Sequence, residues 1–406
     1  MIPVIFVAPR LSENASAMVD AIGALPGVQL GVITSEHIEH AAPQTRDVIL
    51  QHWRVDDVLD PYQLLHAVHE VAARIGGVER LFGAYEQLQV PLASVREQLG
   101  IVGLPVQAAL NFRDKSRMKD LLRARKLPCA RHALVERYVD AIAFAERVGF
   151  PLVVKPQAGA GAQATYRVDD ATSLAGALEM TRPAVKEPVL LEEFITGSEH
   201  SFETISIDGQ TVWHSLTHYH PTPLEVLRNP WIQWVVVLPR EVDHPMFDDI
   251  RESASQALQV LGQTTGLTHM EWFRRADGSI AISEVAARPP GAQITTLISR
   301  ANDVDFVSMW ANLMVHGAFT PPERKYAVAA AYLRGQGRGV VRAVHGLEQV
   351  QAEFGSLVCD VKVPPIGAPP AASYEGDGYV ILRHAETAVV ERAIRRVVEL
   401  VHVELG

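Results

Sequence analysis

The sequence has 406 residues, of which 48% are hydrophobic and 21% are charged, so two or three globular domains with sizeable cores are expected. Its net charge of -10 argues against a nucleic-acid-binding protein, because phosphate contacts require a basic surface. No run approaches the roughly 18 apolar residues that cross a bilayer. The two cysteines, Cys129 and Cys359, lack a pairing pattern and metal-ligand spacing, so a reduced, cytoplasmic protein is expected.

The first 110 residues predict a parallel α/β unit. An apolar run at residues 3–8 precedes an amphipathic stretch at 15–25, and a second apolar run follows at 28–33. A strand, a helix and a strand within about 30 residues are typical of this unit. Further helical patterns at 61–75 and 92–99 complete the region, which we expect to end near residue 110.

The rest of the chain predicts a mixed α and β structure. A helical pattern at 115–125 is followed by strand-like runs at 152–155, 189–191 and 201–207. After a helical pattern at 246–262, two apolar runs at 269–273 and 280–285 flank Asp277-Gly278, a strong hairpin signal. Short strands and a helix at 385–401 are expected in the last region.

Two lysines lie where phosphates could bind. Lys155 ends a buried strand and is followed by the small residues of Ala158–Ala162, whose backbone could approach phosphate oxygens. Lys115 lies at the start of a helix that Asp114 or Ser116 could cap, where a cation is disfavoured unless an anion is nearby. The alternatives are a flexible hairpin after residue 155 and an exposed basic helix face at 115–119.

An acidic strand end offers a possible adenine site. Glu192 and Glu193 precede Phe194 and Ile195, whose backbone could contact a base edge. A carboxylate nearby could take ribose hydroxyls. The alternative is a solvated acidic strand end.

Paired glutamates are the most specific feature of the sequence. Glu271 and Glu284 lie on the two apolar strands of the predicted hairpin, whose pairing could bring the carboxylates together. Adjacent carboxylates repel unless one is protonated or a cation bridges them, and Mg²⁺ suits such a site. Arg288 follows and could clamp a phosphoryl group or a carboxylate. The alternative is that both glutamates point outward from an exposed hairpin.

The order of these motifs resembles the ATP-grasp superfamily over nearly the whole chain. The resemblance implies an ATP-grasp fold of the α/β and α+β classes. A Rossmann-like pre-domain would span residues 1–110, two ATP-grasp lobes would span 111–322, and a small C-terminal α+β domain would span 323–406.

The resemblance also implies roles for individual residues. Phosphates would contact Lys115, Lys155, Gly159 and Gly161, and Arg288 would act with Lys155 in catalysis. Glu192 and the backbone of Phe194 and Ile195 would meet adenine, and Glu199 would meet the ribose. Glu271 and Glu284 would hold Mg²⁺, or alternatively Mn²⁺. We further expect a loop that includes Ala158–Ala162 to close over ATP.

One position departs from the superfamily pattern. Many members have asparagine two residues after the second metal glutamate, where this sequence has Ala286. The variant segment that runs from Glu284 to Arg288 is similar to that of the bacterial L-amino acid ligases, in which the residues after the arginine shape the amino-acid pocket. Gly291 and Ala292 would then leave room for a substrate side chain.

A histidine-rich strand supplies further candidates for substrate contact. His214, His218 and His220 alternate along it and share one face, which could form a metal site but more simply a polar strand facing the substrate. Glu225 could contact substrate as well. Glu86 is either an acid facing the active site or a surface acid.

The sequence thus predicts an ATP-dependent ligase that joins a small carboxylate to an amine through an acyl phosphate, with a homodimer as the default assembly. Two alternatives stay open at this point. One is a carboxylase-type enzyme that uses bicarbonate, and the other is a non-catalytic nucleotide-binding or regulatory protein that retains the fold, for which Ala286 is the best support.

Overall fold

The computed structural model describes residues 1–158, 164–185, 187–229, 232–371 and 373–406. The first region is a parallel sheet in the order β3-β2-β1-β4, with helices packed on it. Its elements are β1 (Ile2–Val7), α1 (Glu13–Gly23), β2 (Val28–Thr34), α2 (Pro43–Asp47), β3 (Gln51–Arg54), α3 (Pro61–Ile75), β4 (Arg80–Phe82) and α4 (Gln89–Leu99). The parallel α/β unit predicted from the alternation of apolar runs and amphipathic stretches is therefore present.

The second region contains an antiparallel sheet in the order β5-β8-β6-β7. Its elements are α5 (Val106–Arg113), α6 (Lys115–Ala124), β5 (His132–Val135), α7 (Tyr138–Val148), β6 (Leu152–Pro156), β7 (Tyr166–Val168), α8 (Ala171–Thr181) and β8 (Val189–Glu193). One core joins the sheet to α7 and α8, so the opposite face of the sheet remains available for the site described below.

The third region begins a larger antiparallel sheet. Its elements are β9 (Ser198–Ile207), β10 (Gln210–His220), α9 (Pro223–Arg228), β11 (Val235–Leu238), α10 (Asp248–Leu261), β12 (Gly266–Arg274), β13 (Ile280–Ala286), α11 (Ile294–Asn302) and α12 (Phe306–His316). The predicted hairpin is formed by β12 and β13, which pair antiparallel around the turn at Asp277-Gly278.

The last region extends the same sheet, whose order is β13-β12-β9-β10-β11-β14-β18-β17. Its elements are β14 (Ala327–Leu333), β15 (Gly335–Gln336), β16 (Val341–His345), α13 (Leu347–Phe354), β17 (Val358–Lys362), β18 (Gly378–His384), α14 (Thr387–Leu400) and β19 (His402–Leu405). The boundary predicted at 322/323 falls between α12 and β14, and the pairing of β11 with β14 crosses it. Within the described ranges, no helix combines the length and apolar character needed to cross a membrane.

Candidate active site

A cavity of about 680 Å³ lies between the sheet that contains β6 and β8 and the larger sheet that contains β9, β12 and β13. Charged side chains from both sheets line it. They include Lys115, Lys155, Glu192, Glu199, His269, Glu271, Glu284 and Arg288. The structure therefore brings the separate motifs of the sequence to one place.

Lys115 is fixed at the first turn of α6. The Asp114 side chain caps this helix by accepting hydrogen bonds from the backbone N–H groups of Ser116 and Arg117, each at 3.0 Å. The Nζ atom of Lys115 lies 2.8 Å from Oε1 of Glu284. The anion expected near this lysine is thus supplied by the protein itself, and the alternative of an exposed basic face is wrong because Lys115 is buried.

Glu192 lines the cavity and lies between two lysines. Its Oε1 atom is 2.8 Å from Nζ of Lys119, and its Oε2 atom is 2.9 Å from Nζ of Lys155. Lys119 is fully buried and also donates to the backbone carbonyl of Ser283 at 2.5 Å. Both oxygens of Glu192 therefore form ion pairs that hold the two lysines, and its contact with adenine stays a prediction.

The charges in this cluster support one another. Burial by itself would raise the pKa of Glu192, but Lys119 and Lys155 lower it to about 2. Burial disfavours the ammonium of Lys155, yet Glu192, Glu284 and Glu271 raise its pKa. For Lys119, burial outweighs the attraction of Glu192 and the pKa is lowered. Lys155 is thus the more firmly charged of the two lysines.

Lys119 is a site residue that the sequence reasoning missed. Lys115 and Lys119 are four residues apart on α6, and this spacing places two side chains on one helix face. This four-residue spacing is the sequence signal that identifies Lys119 as a neighbour of Lys115.

The paired glutamates meet as the hairpin predicted. Glu271 and Glu284 are directly opposite each other in the β12–β13 register, next to a bulge between Glu271 and Trp272. Glu199, on the adjacent strand β9, is also buried, and burial together with the charge of Glu271 raises its pKa well above the usual range. Such a concentration of carboxylate oxygens is suited to a divalent cation.

A buried histidine partly offsets this negative charge. His269 Nδ1 lies 2.8 Å from Oε1 of Glu203, and His269 Nε2 lies 3.8 Å from Oε1 of Glu271. Burial would lower the pKa of His269, but the hydrogen bond to Glu203 and the charges of Glu203 and Glu271 raise it to about 9. The sequence analysis missed both His269 and Glu203, because the pairing of β9 with β12 that joins them is not a local feature.

Arg288 is held by a residue of the first region. Its Nε and Nη2 atoms lie 3.3 and 3.1 Å from Oε2 of Glu86, while Arg113 Nη1 lies 2.7 Å from Oε1 of the same carboxylate. Glu86 is only 5% exposed, so the alternative that it is a surface acid is wrong. Arg288 also lines the cavity, at the end of β13 that follows the paired glutamates.

The chain between β8 and β9, together with the start of β9, lines part of the cavity. Phe194, Ile195 and Glu199 all line it. Phe194 is fixed by a hydrogen bond from its N–H to the carbonyl of Pro151 at 3.1 Å, and the guanidinium of Arg167 lies 4.4 Å from its ring centre. The predicted phosphate contacts at Gly159 and Gly161, and most of the predicted mobile loop, lie outside the described residues.

His218 and His220, which were predicted to contact substrate, are not among the described residues that line the cavity. His218 pairs with His200, which stacks on Trp272 at 4.5 Å, so these side chains share the face of the sheet opposite Glu271. His218 packs against Phe247 near α10 instead, and His220 is exposed. The side chains alternate along β10 as predicted, but the register with β9 decides which face of the strand meets the cavity.

The remaining substrate predictions have different outcomes. Glu225, on α9, lines the cavity. Gly291 and Ala292 are not among the described residues that line the cavity. Ala292 is buried, and its carbonyl accepts a hydrogen bond from the hydroxyl of Tyr332. The room predicted near Gly291 and Ala292 for a substrate side chain stays a prediction.

Comparison with known proteins agrees with this geometry. The pattern that defines the ATP-grasp domain matches residues 120–302. The chain contains an ATP-grasp domain. The structure of an L-amino acid ligase from Bacillus licheniformis superimposes with a TM-score of 0.79 and 19% identity, covering 100% of this chain and 99% of that one. The predicted ATP-grasp fold is thereby confirmed.

Relatives of the ATP-grasp domain include ligases that act on amino acids. The L-arginine-specific L-amino acid ligase of Bacillus subtilis is 25% identical over 279 residues, which cover 66% of each chain. The alanine–anticapsin ligase of Bacillus subtilis strain 168 is 25% identical over 275 residues, covering 61% of this chain and 57% of the relative. The chain thus spans less than two thirds of the length of these curated relatives.

Proposed function

We propose that this protein is an ATP-dependent ligase that joins a carboxylate to an amine through an acyl phosphate. One observation carries the proposal. A single cavity contains two buried lysines, Lys115 and Lys155, beside the directly paired carboxylates of Glu271 and Glu284. Lysines provide charge for the phosphates of ATP, and carboxylates provide oxygen ligands for its divalent cation.

The residues present fit a magnesium ion. Within the described ranges, no group of three or more His, Cys, Asp or Glu is placed to hold a metal. A cation at Glu271 and Glu284 would therefore take its other ligands from phosphate oxygens and water, as Mg²⁺ commonly does. When bound, Mg²⁺ would neutralise charge on the phosphates. Mn²⁺ would suit the same ligands.

The reaction follows from the charges in the cavity. A carboxylate oxygen of the substrate attacks the γ-phosphorus of ATP, and ADP departs. Lys115, Lys155 and Arg288 stabilise the negative charge that is shared among the phosphate oxygens. The amine nitrogen then attacks the acyl carbon, phosphate leaves and the nitrogen loses a proton. Glu192 contributes by holding Lys155 and Lys119 in place.

The nucleotide base would lie against Phe194 and Ile195, with the ribose near Glu199. All three residues line the same wall of the cavity. The substrates would be amino acids, a proposal supported by the resemblance to the L-arginine-specific L-amino acid ligase. Neither a bicarbonate-using carboxylase nor a non-catalytic protein is favoured by this resemblance. A homodimer and a cytoplasmic location stay predictions.

Phosphate release from ATP tests the proposal. Purified protein is incubated with Mg²⁺ and amino acids, singly and in pairs, and both phosphate and condensed product are measured. Release that depends on amino acids is expected, and Glu271→Gln should reduce it at least 100-fold, since a cation ligand is lost. Glu252→Gln is the matched control, because Glu252 is exposed on α10. ATP binding without any substrate-dependent release across the panel would contradict the amino-acid ligase.

A further inference from the structure

A fully buried carboxylate lies on β9, the strand that pairs with β12 of the hairpin carrying the two glutamates. Glu203, in the middle of β9, has no exposed surface. Its Oε1 atom accepts a hydrogen bond from Ser201 Oγ at 2.6 Å, and its Oε2 atom accepts one from Thr217 Oγ1 at 3.2 Å. The burial of a carboxylate costs several kcal/mol unless it is paired and hydrogen-bonded. The burial and the hydrogen bonds of Glu203 therefore indicate that this carboxylate has a specific role.

The remaining partner of Glu203 points towards the cavity. His269 lies directly opposite Glu203 in the β9–β12 register, and its Nδ1 atom lies 2.8 Å from Oε1 of Glu203. This contact fixes the plane of the imidazole ring. The other ring nitrogen, Nε2, then faces Glu271, with 3.8 Å between Nε2 and Oε1.

Ala286 provides the space for this ring. It lies opposite His269 in the β12–β13 register, and residues directly opposite in an antiparallel pair project from the same face. Both residues line the cavity. The methyl group of Ala286 leaves the area beside Glu271 to the imidazole, in the position where many ATP-grasp proteins have an asparagine.

We propose that Glu203 and His269 form a positioning pair that holds the carboxylate of Glu271 in the orientation required by the divalent cation of ATP. The inference rests on the proposed function. Partners that orient a metal ligand typically change metal affinity 10–100-fold when they are removed. His269 is thus a positioning residue, and Glu203 determines which of its nitrogens faces Glu271.

Direct measurement of Mn²⁺ binding tests the pair without reference to turnover. The full chain with saturating ADP is titrated with Mn²⁺, and free Mn²⁺ is followed by electron paramagnetic resonance. His269→Ala should raise the dissociation constant for Mn²⁺ 10–100-fold, while ADP affinity in the absence of metal stays within twofold. The matched control is His200→Ala, which removes a buried histidine on the opposite face of the same sheet.

Added imidazole separates positioning from a general structural role. It should restore part of the Mn²⁺ affinity of His269→Ala, because the vacated position borders the cavity, and it should have no effect on His200→Ala. If His269→Ala does not fold, Glu203→Gln replaces it, and at least a threefold weaker Mn²⁺ affinity is expected because the imidazole loses its charged partner.

The outcomes distinguish the two proposals. A folded variant, as judged by its thermal unfolding, that binds Mn²⁺ like the natural protein would overturn the positioning pair and leave the ligase proposal standing. Failure of the natural protein itself to bind Mn²⁺ with ADP would overturn both.

Discussion

At the scale of single residues, the ion pairs of Glu192 show how this cavity keeps charged groups out of water. Burial raises the pKa of an isolated carboxylate, yet two lysines lower that of Glu192 to about 2. The carboxylate is therefore ionised at any pH at which the protein is expected to work. Its charge stabilises both ammonium groups, so Lys155 stays protonated where it lines the cavity.

Two histidines on the other face of the sheet behave in the opposite way. Burial disfavours their imidazolium forms, which lowers the pKa of His218 to about 4 and that of His200 to about 2. Histidine in an unfolded chain titrates near 6.5. Between these values the unfolded chain binds more protons than the folded one, so stability falls as the pH is lowered.

We therefore predict that acid destabilises this protein partly through His218. Lowering the pH from about 6.5 to about 4 should cost roughly 3 kcal/mol at this residue. His218→Phe removes the titrating group while it preserves an aromatic contact with Phe247. Urea unfolding at several pH values should give a shallower loss of stability for this variant than for the natural protein. His402→Gln, at an exposed position, is the control, and equal slopes for all three proteins would contradict the prediction.

At the scale of elements, local pattern was enough wherever pairing is local. The hairpin of β12 and β13 follows from two apolar runs around Asp277-Gly278, and it brings Glu271 opposite Glu284. The Glu203–His269 contact could not be predicted from local sequence patterns, because 66 residues separate the two partners. For His218, the period of two was correct, but its face depends on the register with β9, which the sequence of β10 does not specify.

Gly197 lies in the link between β8 and β9 and approaches the end of β12 closely. Its φ is +153°, and a Cβ atom added there would lie 2.1 Å from the carbonyl oxygen of Arg274. Gly197→Ala should therefore lower the free energy of unfolding by about 3 kcal/mol. ADP affinity should fall as well, because Gly197 and the adjacent Thr196 line the cavity. Urea unfolding and ADP titration measure the two effects.

The control for this prediction is Gly278→Ala in the turn of the hairpin. Gly278 has a φ of +85°, and no atom lies within 4 Å of an added Cβ. Gly278→Ala should lower the free energy of unfolding only by the cost of a left-handed backbone at alanine, about 1 kcal/mol. It should bind ADP normally. If Gly197→Ala loses no more stability than Gly278→Ala, the close approach of Gly197 to the end of β12 is not restrictive.

At the scale of the whole molecule, the cavity is assembled from distant parts of the chain. Lys155 comes from the smaller antiparallel sheet and Tyr374 from the last region. Glu86 of the first region contacts Arg288, which also lines the cavity. The larger sheet also runs across the boundary predicted at 322/323. Sequence patterns predict the order of these parts along the chain. They do not predict which of the parts are in contact.

Glu86 is the residue that connects the first region to the site. Its carboxylate lies between Arg113 and Arg288, and it is almost completely buried. Glu86→Gln preserves the size of the side chain but removes the charge that both guanidinium groups face. We expect stability to fall by roughly 2 kcal/mol. Turnover should fall about tenfold or more, because Arg288 is no longer held beside the paired glutamates.

Urea unfolding and the rate of phosphate release measure these two effects of Glu86→Gln. The matched control is Glu70→Gln, which breaks the exposed pair of Glu70 with Arg74 on α3. Such a pair contributes about 0.5 kcal/mol or less, and turnover should not change. Normal turnover in Glu86→Gln would mean that Arg288 finds its position without the first region. A specific loss would mean that the first region completes the site by orienting a residue about 200 positions further along the chain.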